Sequence, residues 1–295
     1  MRAVLLMIAS TCCFGLMAIL IRIASRQLHP FEIAFFRSFF GALVALPLLL
    51  RHGPRMLLTD RLGFYVVRCA IGTLGMLAGF WSIAHLPLAQ AISLSYSSPL
   101  FVTIGAVLFL GEVVRARRWS AVVAGFIGVL VIVRPGTDGF TTASLVAVFA
   151  ASMTGIVTIS IKFLSRSDPA DTIVLLTTLL WVPLTLPAAL WVWQWPPADL
   201  WPWLVAAGVL GTGGQYFWTH ALRLADASTL APFSYLQLIL VAVLAWLLFG
   251  ETLDRYTALG SAIVVGASLY IVRREAKVAR QRHVEPMAVR AEPQI

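Results

Sequence analysis

The chain reads as an all-α membrane protein in which ten transmembrane helices form two inverted five-helix repeats around a central cavity. Three observations point there. Apolar side chains make up 60% of the 295 residues and charged ones only 12%, against roughly 25% charged in ordinary soluble domains. Apolar runs of the length that crosses hydrocarbon, about 20 residues each, recur from Ala3 almost to Val272. Short motifs from the first half return in the second.

The first run, near residues 3–23, could open a secreted protein, but nine more follow and no small-residue cleavage site stands out, so it is the first span. Pro30 punctuates the start of a second span near 32–50, and the Arg51 to Arg61 segment separates it from a third near 63–83. A fourth near 91–110 contains Pro99, and a fifth near 120–133 ends at Pro135-Gly136. Spans near 142–164, 172–192, 204–222, 230–249 and 258–272 follow. The expected division is residues 1–135, residues 140–274 and a basic tail over 275–295. The loops leave no room for a soluble catalytic domain.

The net charge of +9 does not indicate a nucleic-acid partner, because the basic residues are scattered through short loops instead of sharing one polar face. Their distribution sets orientation, since Lys and Arg resist translocation. Sixteen of the 22 fall on one side: Arg2, the groups at Arg51 to Arg61, Arg115 to Arg118 and Lys162 to Arg166, Arg223, and the tail. Arg22, Arg26, Arg134 and Arg255 fall on the other, and Arg37 and Arg68 lie inside spans. Both termini are therefore expected in the cytoplasm.

Self-similarity suggests the architecture. Phe80-Trp81-Ser82 returns as Phe217-Trp218-Thr219, each after glycines three apart, Gly72 with Gly75 and Gly208 with Gly211. Ser95-Tyr96 returns as Ser234-Tyr235, Gly111-Glu112 as Gly250-Glu251, and Ile132-Val133-Arg134 as Ile271-Val272-Arg273, all at a spacing of 139. Five spans is an odd number, so the second copy enters the bilayer from the opposite side. Inverted repeats of this kind place a ligand site between the halves near the midplane.

The ten-span duplicated layout, Pro30-Phe31-Glu32 with Phe36-Arg37, the Ser98-Pro99 to Leu110-Gly111-Glu112 segment and its echo in Phe249-Gly250-Glu251 together resemble the drug/metabolite transporter superfamily and its EamA-type members. The resemblance covers about residues 3–274. It implies a basket of five plus five helices around a central cavity that works by alternating access without ATP. Such families include aromatic amino acid exporters of the YddG type and importers of riboflavin or S-adenosylmethionine. The expectation drawn is an inner-membrane exporter of amino acids, aromatic and other neutral, with import of such a metabolite as the alternative.

Arg37 is the most informative charge, because an unpaired cation inside a span costs several kcal/mol. It either anchors an anionic group of a substrate or makes a structural contact. Trp81, Tyr96, Trp218 and Tyr235 are the repeated aromatics, joined by Ser97, Gln215 and Gln237 as polar groups within apolar runs; together they suit an amphipathic small molecule. Pro99 and Pro232 each remove a helix hydrogen bond, to the carbonyls of Ser95 and Ser228, which marks the fourth and ninth spans as cavity walls. Glu112 and Glu251, each beside a glycine at a span end, read as structural caps. Arg68 and Lys162 read as side chains that snorkel. Trp191, Trp193, Trp195, Trp201 and Trp203 read as an interfacial aromatic belt.

No His-Glu-x-x-His, nucleophile elbow, P-loop or intramembrane acidic pair occurs, so neither an enzyme nor a cofactor or metal is expected. Cys12, Cys13 and Cys69 show no ligand spacing. Nothing resembles a channel filter. The expected partners are a small-molecule substrate and the bilayer.

Overall fold

A computed structural model describes residues 2–53, 59, 61–110, 116–137, 139–164, 168–225 and 227–289. Every regular element among them is helical. In order they are α1 (Arg2–Ala24), α2 (Pro30–His52), α3 (Leu62–His85), α4 (Leu88–Ser95), α5 (Ser98–Leu110), α6 (Ala116–Val133), α7 (Thr142–Leu164), α8 (Ala170–Trp191), α9 (Trp201–Leu224), α10 (Ala227–Ser234), α11 (Leu236–Phe249) and α12 (Arg255–Val289), with a 3₁₀ turn over Ala198–Leu200.

Eight stretches of the described residues are long and apolar enough to cross a bilayer: Arg2–Ala24, Pro30–Pro47, Leu62–His85, Leu88–Leu108, Thr142–Ile161, Asp171–Trp191, Pro232–Phe249 and Arg255–Arg273. Trp119–Val133 is apolar but shorter. α9 is as long as the others, and its Thr212, Gln215, Thr219 and His220 make it more polar. The protein is an all-α membrane protein with an apolar exterior: Leu74, Leu108, Ile127, Ile239 and Leu247 all expose more than half of their surface.

The helix ends follow from local chemistry. α2 starts at His29, whose imidazole Nδ1 accepts the Phe31 N–H at 3.3 Å, with Pro30 in the first helical position, where a missing N–H does no harm. Glu32, three residues after the cap, reaches back to the His29 backbone and also accepts the Gln194 N–H. The His29 side chain thus satisfies one of the N–H groups left open at the start of the helix. α11 ends at Gly250 with φ of 67°; the Gly250 N–H bonds to the Trp246 carbonyl, the αL form of helix closure, and the Glu251 N–H bonds to the Ala245 carbonyl. α12 continues past its apolar part to Val289, because the Ala, Arg, Lys, Glu and Gln of this segment favour helix.

The fourth and ninth expected spans are each two helices. α4 gives way to α5 at Tyr96 and Ser97, just before Pro99, and α10 gives way to α11 at Tyr235, three residues after Pro232. The first break arises where Pro99 withholds an N–H and clashes with the preceding turn, whereas Pro232 lies within α10 and the second break follows it.

Packing crosses between the halves of the sequence. α1 lies on α9 and α3 on α7, while α6 pairs with α12 and α2 with α8. Small residues permit the closest approaches. A Cβ on Gly260 would stand 2.6 Å from the Gly128 carbonyl, and one on Gly128 would stand 2.9 Å from the Gly260 carbonyl. Gly15 of α1 faces Leu240 of α11, and Gly155 of α7 faces Phe101 of α5.

Candidate functional site

The two helix breaks meet. The rings of Tyr96 and Tyr235 lie 4.8 Å apart between centroids, and the Tyr96 hydroxyl donates to the Ser234 carbonyl at 2.6 Å while lying 3.3 Å from Oε1 of Gln237. From α12, the Ser268 hydroxyl donates to the Tyr96 carbonyl at 3.1 Å. Backbone carbonyls released inside a bilayer need partners, and here each break draws one from a neighbouring helix. The carbonyls concerned belong to Tyr96 and Ser234, one and six residues beyond the Ser95 and Ser228 positions inferred from proline spacing alone.

Ser97 is fully buried and donates to the Leu94 carbonyl at 2.6 Å, so its hydroxyl closes the turn at the break. Trp81 stacks on His85 at 4.0 Å and packs on the main core, whereas Trp218 packs with Ala3, Met7, Ala221 and Leu230 in a separate cluster of α1, α9 and α10. Gln215 is half-buried one turn beyond Gly211, and its backbone carbonyl accepts the Thr219 hydroxyl at 2.8 Å. Of the residues singled out in the sequence, the structure thus gathers Tyr96, Tyr235 and Gln237 at one point, with Ser97 closing the adjacent turn, and gives Trp81, Trp218 and Gln215 other partners.

Arg37 is buried in the bundle, as its charge within a span required. Its guanidinium carbon stands 5.1 Å from the Trp181 ring and Nη1 lies 3.5 Å from Sδ of Met76. Glycine at 211 makes room for it, since a Cβ there would fall 2.7 Å from Nε. Trp181 and Met76 carry no sequence signal that would have linked them to Arg37. Arg68 does not snorkel: it is 4% exposed and donates to the Thr177 hydroxyl at 2.6 Å, because its α3 position faces α8.

Glu251 does more than flank the Gly250 cap. Its carboxylate pairs with Arg22 at 2.8 Å and accepts the Leu88 N–H at 2.6 Å, while Arg22 Nη1 donates to the carbonyls of Ile83 and Ala84. Glu112 lies outside the described residues. The tryptophan belt divides: Trp191 and Trp195 are 89% and 75% exposed, but Trp193 and Trp201 turn inward onto Phe36 at 5.6 and 5.4 Å. The Phe36 ring recruits them into the core.

The model of the EamA-like transporter family matches the chain twice, over residues 1–134 and 141–273. The chain belongs to the EamA-like transporter family. It is 31% identical over 257 residues to an S-adenosylmethionine uptake transporter of Rickettsia felis, covering 87% of each chain. It is 33% identical to a riboflavin transporter of Brucella anthropi, over 84% of this chain and 89% of the relative. A pseudopaline exporter of Pseudomonas aeruginosa is 32% identical over 92% of this chain and 95% of its own. One solved crystal structure shares the fold with a TM-score of 0.65 at 20% identity, over 92% of this chain and 98% of that one. This EamA-like transporter is accordingly a multi-pass membrane protein of the drug/metabolite transporter superfamily that moves small molecules, and it is not an enzyme.

Proposed function

We propose that the protein exports small amino acids, aromatic and other neutral, across the inner membrane by alternating access between two inverted halves, residues 1–135 and 140–274. The observation that carries the reading is the meeting of two broken helices through Tyr96, Tyr235 and Gln237. It offers aromatic faces and an amide where hydrogen bonds can be exchanged, as an amphipathic solute needs. Trp81, Trp218, Gln215 and Ser97 belong to the surrounding wall in this reading, and Arg37 anchors the carboxylate. The double family match and the exchanged packing of α1 on α9 and α3 on α7 support two halves of opposite orientation. The partition of basic residues supports cytoplasmic termini and a cytoplasmic tail over 275–295.

A second reading, import of a metabolite such as riboflavin or S-adenosylmethionine, is favoured by the names of two relatives. Liposomes containing the purified protein, loaded in turn with amino acids, riboflavin and S-adenosylmethionine, separate the two. Movement of aromatic or neutral amino acids supports the first. Movement of riboflavin or S-adenosylmethionine alone replaces it with the second.

A further inference from the structure

Two buried arginines face α8 one helical turn apart. Arg37 and Arg68 are 8% and 4% exposed. Arg68 Nη1 donates to the Thr177 hydroxyl at 2.6 Å, and that hydroxyl spends its own proton on the Ile173 carbonyl at 2.5 Å. Arg37 lies over Trp181 and against the Met76 sulfur. Thr177 and Trp181 are four residues apart, so the two guanidinium partners are separated by about 6 Å along the helix axis.

Four buried donors in this region lack any hydrogen-bond partner: Nε of Arg37, Nε of Arg68, Nε1 of Trp181 and the hydroxyl of Thr73. They belong to α2, α3 and α8, which pack on one another. Gly72 of α3 lies against the indole, where a Cβ would stand in van der Waals contact with Nε1 at 3.5 Å. Among the described residues the ion pairs are Arg22 with Glu251 and Arg134 with Asp254, and neither buried arginine takes part.

A hydroxyl, a thioether and an indole face ease the burial of a cation but cancel none of its charge. Each guanidinium in a low dielectric carries its own desolvation cost. Anionic groups seated on them would relieve both costs and occupy the idle Nε donors, a geometry in which guanidinium binds carboxylate strongly. Two cations spaced by a helical turn fit two carboxylates joined by a short carbon chain better than they fit one compact anion.

We propose that Arg37 and Arg68, with the indole N–H of Trp181, form a binding site for a small dicarboxylate, one carboxylate on each guanidinium. The inference rests on Arg37 as a carboxylate anchor and adds Arg68 as a second subsite, which extends the cargo class to acidic amino acids and related diacids.

The test compares succinate with butyrate, equal in carbon count and different by one carboxylate. Binding to the purified full-length protein is measured at constant ionic strength by competition against labelled succinate. Wild type should prefer succinate by about tenfold or more, the worth of one charge-assisted contact. R68Q should bring that ratio close to one, and R68K should keep most of it. A ratio near one in wild type, or a ratio that R68Q leaves intact, overturns the inference. Should R68Q fold poorly, W181F, which removes the indole donor and keeps an aromatic ring, must lower the ratio, and the wild-type ratio decides by itself. Liposome transport separates this inference from the amino acid reading. Wild type that moves neutral amino acids but shows no succinate preference loses only the dicarboxylate site. Wild type that prefers succinate and moves no amino acid loses only the neutral amino acid cargo.

Discussion

Arg22 and Glu251 are separated by 229 residues and their side chains meet at 2.8 Å. The pair ties the end of α1 to the end of α11, and through the Ile83, Ala84 and Leu88 backbone it also holds the junction of α3 and α4. All of these helix ends lie on the face that the basic-residue pattern assigns to the outside. An alternating-access cycle that parts them must break this cluster.

Loss of either partner therefore destabilises this face. R22A or E251A should lower stability by about 1–3 kcal/mol, the cost of leaving half-buried polar groups unmatched, read as a fall in the thermal midpoint in detergent. Reversing the pair, R22E with E251R, should not rescue it. Glutamate at 22 cannot donate to the Ile83 and Ala84 carbonyls, and arginine at 251 cannot accept from the Leu88 N–H. Full recovery in the reversed variant would show that charge alone matters there.

The tyrosine contact between the helix breaks makes a separate prediction. Y96A should impair liposome transport strongly while membrane insertion and expression stay close to wild type, and W81A should impair it through the wall of the site. Y96F keeps the ring but removes the hydroxyl that bonds to the Ser234 carbonyl and lies beside Gln237, and should cost about 0.5–1.5 kcal/mol. Normal transport by both alanine variants would remove Tyr96 and Trp81 from the substrate path.

The α6–α12 crossing leaves no room for a side chain at Gly260. G260A places a Cβ 2.6 Å from the Gly128 carbonyl and 2.5 Å from Cγ1 of Ile132, so the helices must separate. The expected loss is about 1–3 kcal/mol, measured by thermal denaturation, with I132A in the same chain relieving only the side-chain part of the clash.

Mild acid should weaken the start of α2. His29 precedes the span, and burial, followed by the nearby His85, lowers its pKa below the ordinary histidine value. Its Nδ1 must be unprotonated to accept the Phe31 N–H. A histidine held neutral by the fold contributes fully above the unfolded-state pKa of about 6.5, and that contribution is lost as pH falls below it. The thermal midpoint should drop between pH 7 and 5.5, and H29N, which caps without titrating, should reduce the drop. An unchanged pH dependence in H29N would assign the effect to other groups.

Orientation is tested by labelling. With cytoplasmic termini, a cysteine at Pro197 should react with an impermeant reagent added to intact cells, and a cysteine at Arg117 should not. The reverse pattern would invert the topology.

Much of this was legible in one chain. Hydropathy over about 20 residues marks a membrane-crossing helix because each crossing segment must satisfy its own backbone, and proline acts on the turn before it, so an interruption beside Pro99 was legible, whereas the break at Tyr235, beyond Pro232, was not. Burial of Arg37 followed from the cost of a cation in lipid. Side-chain partners were a different matter. A helix in a membrane is apolar on its lipid face and its packed face alike, so periodicity does not tell which face turns inward. That Arg68 finds Thr177, that Tyr96 reaches Ser234, that Trp193 and Trp201 leave the belt for Phe36, and that Glu251 answers Arg22 were decided only by how the helices pack, because each contact joins elements distant in sequence whose rotation is fixed by all their neighbours together.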